Sequence, residues 1–71
     1  MSYLDSIKFL LKERNWYLRQ AELAAAAGAP GEAMYQRHMN VAWTYHQQGL
    51  AAGGREDPDI AARFVEWRLT R

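Results

Sequence analysis

Apolar side chains recur every three or four residues over most of the 71-residue chain, which is the spacing of amphipathic α-helices. The pattern predicts three helices, over about residues 3–27, 30–51 and 58–69. No segment alternates apolar and polar residues in the way that a half-buried strand does. The sequence therefore predicts an all-α protein that forms a single helical domain over residues 1–71.

Residues that begin and end helices stand at the predicted boundaries. Ser2 is suited to cap the first helix, because its hydroxyl oxygen can accept a hydrogen bond from a free backbone N–H. Gly28 supplies a left-handed stop, and Pro30 suits the first turn of a second helix. The glycine pair at 53–54 ends that helix, and Asp57 is a natural cap for the third. Since the first connection is short, the first two helices are predicted to form a long antiparallel hairpin, followed by a shorter third helix.

The first helix carries apolar residues on two faces. The broader face is predicted to pack on the second helix and, at about 100° per residue, contains Leu4, Ile7, Leu10, Leu11, Tyr17, Leu18, Ala21, Ala24 and Ala25. Roughly opposite lie Phe9, Trp16 and Leu23, which are spaced seven residues apart and are called the outer stripe below. A helix with two apolar faces must bury both or leave one for a partner.

The role of the outer stripe depends on what the third helix covers. The second helix is apolar over roughly 200° of its circumference, which one antiparallel neighbour does not cover. If the third helix covers the outer stripe instead, the chain is a closed three-helix monomer; if it does not, the stripe is an interface. A chain this short buries only about 60% of its surface on folding. The sequence therefore favours the interface, with two chains forming a dimeric helical bundle.

Composition excludes several classes of protein. The chain has no cysteine, which excludes disulfides and thiolate metal sites and predicts a reducing, cytoplasmic location. The net charge is +1, so nothing global draws the protein to nucleic acid or to a membrane. No apolar run approaches the ~18 residues of a membrane span. The high content of alanine, glycine and arginine predicts a prokaryotic or phage origin.

Candidate catalytic and metal-binding residues are few. The histidines, His38 and His46, are eight residues apart, whereas two metal ligands on one turn of a helix are three or four apart. We expect them to be partly buried, hydrogen-bonded side chains. The acidic residues at 56–59 lack the ligand pattern of a calcium loop and are explained by capping. The sequence therefore predicts no enzymatic activity, no cofactor and no metal.

The predicted function is protein–protein interaction, as a small regulator, adaptor or inhibitor, a class that includes phage proteins directed at a host protein. Trp, Tyr and Arg dominate the energetics of such interfaces. The predicted contact residues, for a larger protein or for a homodimer, are Phe9, Trp16, Arg19, Leu23, Trp43 and Trp67. Arg14 lies inside the broad apolar face. It is predicted either to pair with an acid of the third helix or of a second chain, where one buried ion pair fixes helix register or oligomeric state, or to extend its charged end into solvent at an edge of the face.

Nucleic-acid binding is the alternative function. Lys8, Lys12 and Arg19 form a basic strip along one flank of the first helix, with Trp16 beside it. Basic residues next to an aromatic side chain can contact phosphate and stack a base. A second basic cluster contains Arg63, Arg68 and Arg71. The nearly neutral total charge and the apolar second helix argue against this alternative.

Overall fold

The computed structural model describes residues 2–70, which form three α-helices joined by short connections. Helix α1 spans Tyr3–Ala26, α2 spans Glu32–Ala51 and α3 spans Pro58–Leu69. One turn of 3-10 helix, Ala29–Gly31, precedes α2. No strand occurs among the described residues, so the all-α prediction is confirmed.

Side-chain caps fix the N-termini of α1 and α3. The backbone N–H of Asp5 donates to the hydroxyl oxygen of Ser2 at 3.2 Å. The backbone N–H groups of Asp59 and Ile60 donate to Oδ1 of Asp57 at 3.0 and 3.4 Å. These bonds satisfy donors that a first helical turn otherwise leaves without a partner. Both predicted caps are therefore formed.

Two glycines shape the connection between α1 and α2 for different reasons. Gly28 has a φ of 71°, a backbone conformation that other residues rarely adopt, and it follows the end of α1 as predicted. Gly31 has an ordinary φ of −92°. A Cβ at Gly31 would nevertheless overlap the backbone carbonyl of Ala24. The start of α2 therefore lies against the last turns of α1, with no room for a side chain between them.

Helices α1 and α2 pack closely along their lengths, which agrees with the predicted hairpin. Helix α3 runs antiparallel to α2, because its Phe64 lies beside His46 near the end of α2 and its Trp67 reaches Gln36 near the start. The backbone of α3 stays farther from the hairpin than α1 and α2 are from each other. Bulky side chains fill the space between, and the buried apolar core consists of Leu18, Ala21, Met39, Ala42, Phe64 and Trp67.

Two details of the predicted packing are wrong. Leu4 is exposed rather than packed on α2, because Tyr3 covers the end of the hairpin by donating its hydroxyl hydrogen to the backbone carbonyl of Ala52. Ala25, which was assigned to the same face, is exposed as well and borders an open cavity together with Tyr35 and Trp67.

Candidate binding surface

The outer stripe is uncovered in the folded chain. Phe9, Trp16 and Leu23 expose 50%, 53% and 59% of their surfaces. Helix α3 packs on the side of α1 that contains buried Leu18, and of the outer stripe only Trp16 borders the groove between α1 and α3. The third helix therefore does not cover the stripe.

Two basic residues lie between the apolar residues of the outer stripe. Along α1 the order is Phe9, Lys12, Trp16, Arg19 and Leu23, in steps of three and four residues that place all five on one helix face. Both basic side chains are exposed. Neither forms an ion pair with a residue between 2 and 70. This face of α1 therefore alternates apolar and positively charged side chains over about 21 Å.

A groove beside this face separates α1 from α3. It has a volume of about 510 Å³ and is lined by Lys12, Asn15, Trp16, Leu18, Arg19, Glu22, Ile60 and Arg63. Leu18 and half-buried Ile60 make the groove apolar at its base. Arg63 on α3 pairs with Glu22 on α1, with 2.8 Å between Nη2 and Oε1. The charge of Arg63 is therefore balanced within the chain, in contrast to Lys12 and Arg19.

Trp43 lies on a different side of the molecule, between α2 and α3. Its ring packs against His46 and Phe64, at centroid distances of 5.8 and 5.3 Å. The guanidinium of Arg68 lies 4.9 Å from the centroid of the same ring, which is a cation–π contact. Trp43 is half-buried, so the structure separates it from the outer stripe with which the sequence grouped it.

Trp67 belongs to the core. Its side chain is 2% exposed, and its Nε1–H donates to Oε1 of Gln36 at 3.0 Å. Phe64 and Trp67 are three residues apart and share one face of α3, which was the sequence signal for a joint role in packing. In the folded chain Trp67 is therefore not accessible to a partner.

Arg14 is buried as predicted, but its direct partner is a histidine rather than an acid. Its Nη1 lies 3.2 Å from Nδ1 of His46, and its Nε donates to Oδ1 of Asn15 at 3.0 Å. Because arginine only donates hydrogen bonds, Nδ1 accepts and the proton of neutral His46 is on Nε2. That nitrogen lies 3.6 Å from Oε1 of Glu56. The network thus links α1, α2 and the connection to α3.

Burial determines the charge state of this network. It lowers the pKa of His46, and the positive charge of Arg14 lowers it further, against the opposing effect of Glu56. Burial also lowers the pKa of Arg14, while the carboxylates of Asp57 and Glu56 raise it. Neutral His46 therefore acts as the acceptor for Arg14. A polar pair inside an otherwise apolar hairpin suits the predicted role of Arg14 in fixing helix register.

The second histidine lies outside this network. The ring centroid of His38 is 6.0 Å from that of Tyr17. Its Nδ1 is buried and has no hydrogen-bond partner within residues 2–70, contrary to the hydrogen-bonded state that the sequence predicted. Among residues 2–70, no three histidine, aspartate or glutamate side chains lie close enough together to hold a metal ion.

Comparison with known proteins does not assign the chain to a family. No protein-family model matches it, and the curated proteins and the solved structures give no match either. Between residues 2 and 70, none of the helices combines the length and the apolar character that a membrane crossing needs. The functional interpretation therefore depends on the exposed face of α1.

Proposed function

We propose that this protein is a non-enzymatic binding module that attaches to a larger protein through the exposed face of α1. The outer stripe is the observation that supports this proposal, because three large apolar side chains remain about half exposed in the folded chain. Single exposed apolar residues are ordinary, whereas a row of them on one helix face is typical of an interaction surface. The proposed role is that of a cytoplasmic regulator, adaptor or inhibitor, including one that a phage directs at its host.

Trp16 is the proposed centre of this surface. Its ring meets that of Tyr17 edge to face, with 4.9 Å between the centroids. This contact restricts the orientation of the ring before a partner arrives, which reduces the entropy lost on binding. Trp and Arg are the residue types that most often dominate binding energy. We therefore expect Trp16 to contribute most, with Phe9, Arg19 and Leu23 around it.

A homodimer in which the outer stripe packs on its own copy is disfavoured by charge. In that arrangement Lys12 and Arg19 of one chain face the same basic residues of the other, whether the two α1 helices are parallel or antiparallel. Like charges at facing positions of paired helices destabilise the pair. The alternation of apolar and basic residues therefore favours a partner surface that is acidic and apolar.

Nucleic-acid binding is the second candidate function, because Lys12 and Arg19 are exposed beside a half-exposed tryptophan. The second basic cluster gives this function little support. Arg63 is paired with Glu22, and Arg68 lies over the ring of Trp43. Arg71 lies outside the described residues. Among the described residues of the two basic clusters, those of the strip on α1 are the ones without such a partner, and they carry the support for contacts to a phosphate backbone.

Affinity capture with a matched pair of variants tests the proposed function. The wild-type protein, Trp16→Ala and Met34→Ala are each used to capture proteins from an extract of the organism that encodes the chain, and captured proteins are quantified by mass spectrometry. Met34 is a suitable control because it is also apolar and is 45% exposed on α2. We expect Trp16→Ala to lose a protein that Met34→Ala retains, with helix content unchanged by circular dichroism.

Two results would count against the proposal, one from the capture experiment and one from a separate assay of nucleic-acid binding. If both variants capture the same proteins as the wild type, the exposed face of α1 is not the binding surface. If the wild-type protein instead shifts a labelled single-stranded oligonucleotide, and the shift weakens steeply with salt, the nucleic-acid alternative is favoured.

A further inference from the structure

We infer that a second copy of this chain covers the exposed face of α1 with the outer face of its α3, in an antiparallel helix pair. The contact is separate from stripe-on-stripe pairing, because it joins two different faces. It goes beyond the proposed function, since it requires no other protein and competes with a partner for the same surface.

The outer face of α3 carries acidic side chains at the same spacing at which the exposed face of α1 carries basic ones. Asp59, Ala62, Glu66 and Leu69 follow one another in steps of three, four and three residues and so share one side of the helix. All four are exposed, and Leu69 is 81% exposed. This face alternates acidic and apolar side chains, whereas the face of α1 alternates basic and apolar ones.

The two faces match residue by residue when the helices are antiparallel. The steps from Arg19 back to Phe9 are also three, four and three residues. In this register the paired residues are Arg19 with Asp59, Trp16 with Ala62, Lys12 with Glu66, and Phe9 with Leu69. Both acids thus meet bases, and the largest side chain of α1 faces the smallest of α3. Paired helices are stabilised when the residues that face each other have opposite charges and when large side chains face small ones.

The pair of Lys12 with Glu66 cannot form within one chain. Glu66 lines the same cavity as Ala25 near the end of α1. Lys12 lies thirteen residues before Ala25 along that helix, a distance of about 20 Å. A contact between Lys12 and Glu66 therefore has to come from two copies. All four charged side chains are available for such a contact. Lys12 and Arg19 have no ion-pair partner in residues 2–70, and neither do Asp59 and Glu66.

The contact is heterologous, so each chain offers both halves of it. Its smallest product is a dimer held by one α1–α3 pair, and further copies can add at the free faces. The two helix faces are short, which places the interface below the size of a standard stable complex. We therefore expect reversible association that increases with concentration and weakens with salt, because two of the four pairs are ionic.

Charge reversal and its rescue test this register. Average mass is measured by light scattering over a hundredfold range of protein concentration, for the wild type and for Lys12→Glu, Glu66→Lys and the double variant with both changes. We expect each single reversal to weaken association roughly fivefold, which is the effect of changing one exposed attractive pair to a repulsive one. The double variant should recover the wild-type association, because it restores the pair with opposite polarity.

Two control variants separate the register from total charge. Arg37→Glu makes the same charge change as Lys12→Glu at an exposed position of α2 and should associate like the wild type. Lys12→Glu combined with Asp59→Lys has the same net charge as the rescued variant, but it mispairs both ionic contacts and should associate least. A monomeric mass throughout the concentration range, or equal recovery in the mispaired variant, would overturn the inference. A monomer that still captures another protein through Trp16 would leave the proposed function intact.

Discussion

Replacing Gly31 by alanine tests whether the close approach of α1 and α2 beside their connection sets the stability of the hairpin. The backbone of Gly31, with a φ of −92°, is one that alanine adopts without strain. The added Cβ, however, overlaps the carbonyl oxygen of Ala24 and lies 2.9 Å from its carbonyl carbon and 3.1 Å from the Cβ of Ala27. Because backbone atoms cannot rotate away as a side chain can, the two helices have to separate locally.

The expected loss follows from two opposing effects. Overpacking of a buried position costs about 1–3 kcal/mol, and a clash with backbone belongs in the upper part of that range. Alanine also restricts the unfolded chain, which contributes about 0.4–1 kcal/mol of stability. The net expectation for Gly31→Ala is a loss of about 2 kcal/mol in the free energy of unfolding. For a domain of this size the midpoint of thermal unfolding then falls by about 8–16 °C.

Gly28→Ala is the matched comparison, because it makes the same change three residues earlier. A Cβ at Gly28 meets nothing within 4 Å, but the residue has a φ of 71°. Its cost comes from backbone conformation alone, because φ 71° and ψ −144° lie in a region that is essentially restricted to glycine, and is about 1–3 kcal/mol. Urea titration followed by circular dichroism at the helical band measures both variants. A Gly31→Ala protein within about 0.5 kcal/mol of the wild type would show that the helices accommodate the Cβ and that the clash argument is wrong.

Two further predictions concern α3 and the buried polar pair. Asp57→Ala removes the acceptor for two backbone N–H groups and should cost about 1 kcal/mol in the same titration; Asp57→Asn, which keeps a capping oxygen, should cost less, and equal losses would argue against capping. The pKa of His46 is lower in the folded than in the unfolded chain, so the unfolded chain binds the proton first as the pH falls. Stability should therefore be complete above the unfolded pKa of about 6.5 and decrease below it. His46→Gln should lack this part of the pH dependence, and an unchanged slope would assign it to carboxylates.

Local signals in the sequence predict most of the fold. The caps at Ser2 and Asp57 and the turn at Gly28 depend on side chains and backbone conformations within a few residues. Periodicity alone also identifies the outer stripe as a second apolar face of α1. It does not show which face the third helix covers, because a helical wheel gives directions around an axis and no information on the position of a neighbour.

The pairing of Arg14 with His46 was missed for a related reason. The two residues are 32 apart in sequence, and only the register of the hairpin brings them together. A signal was present, because each lies sixteen residues from Pro30 in the connection. In an antiparallel hairpin, residues at equal distances from the connection face each other. Applying that rule to each buried polar residue would have assigned the histidine as the partner of the arginine.

The larger distance between the α3 backbone and the hairpin has a consequence for how the molecule opens. Phe64 and Trp67 account for most of the attachment of α3, whereas α1 and α2 contact each other along their whole length. Secondary-structure elements with fewer buried contacts unfold locally at a lower free energy than the rest of a protein. Helix α3 is therefore expected to detach as a unit while the hairpin stays folded. Its amide protons should exchange with solvent earlier than those in the middle of α1 and α2.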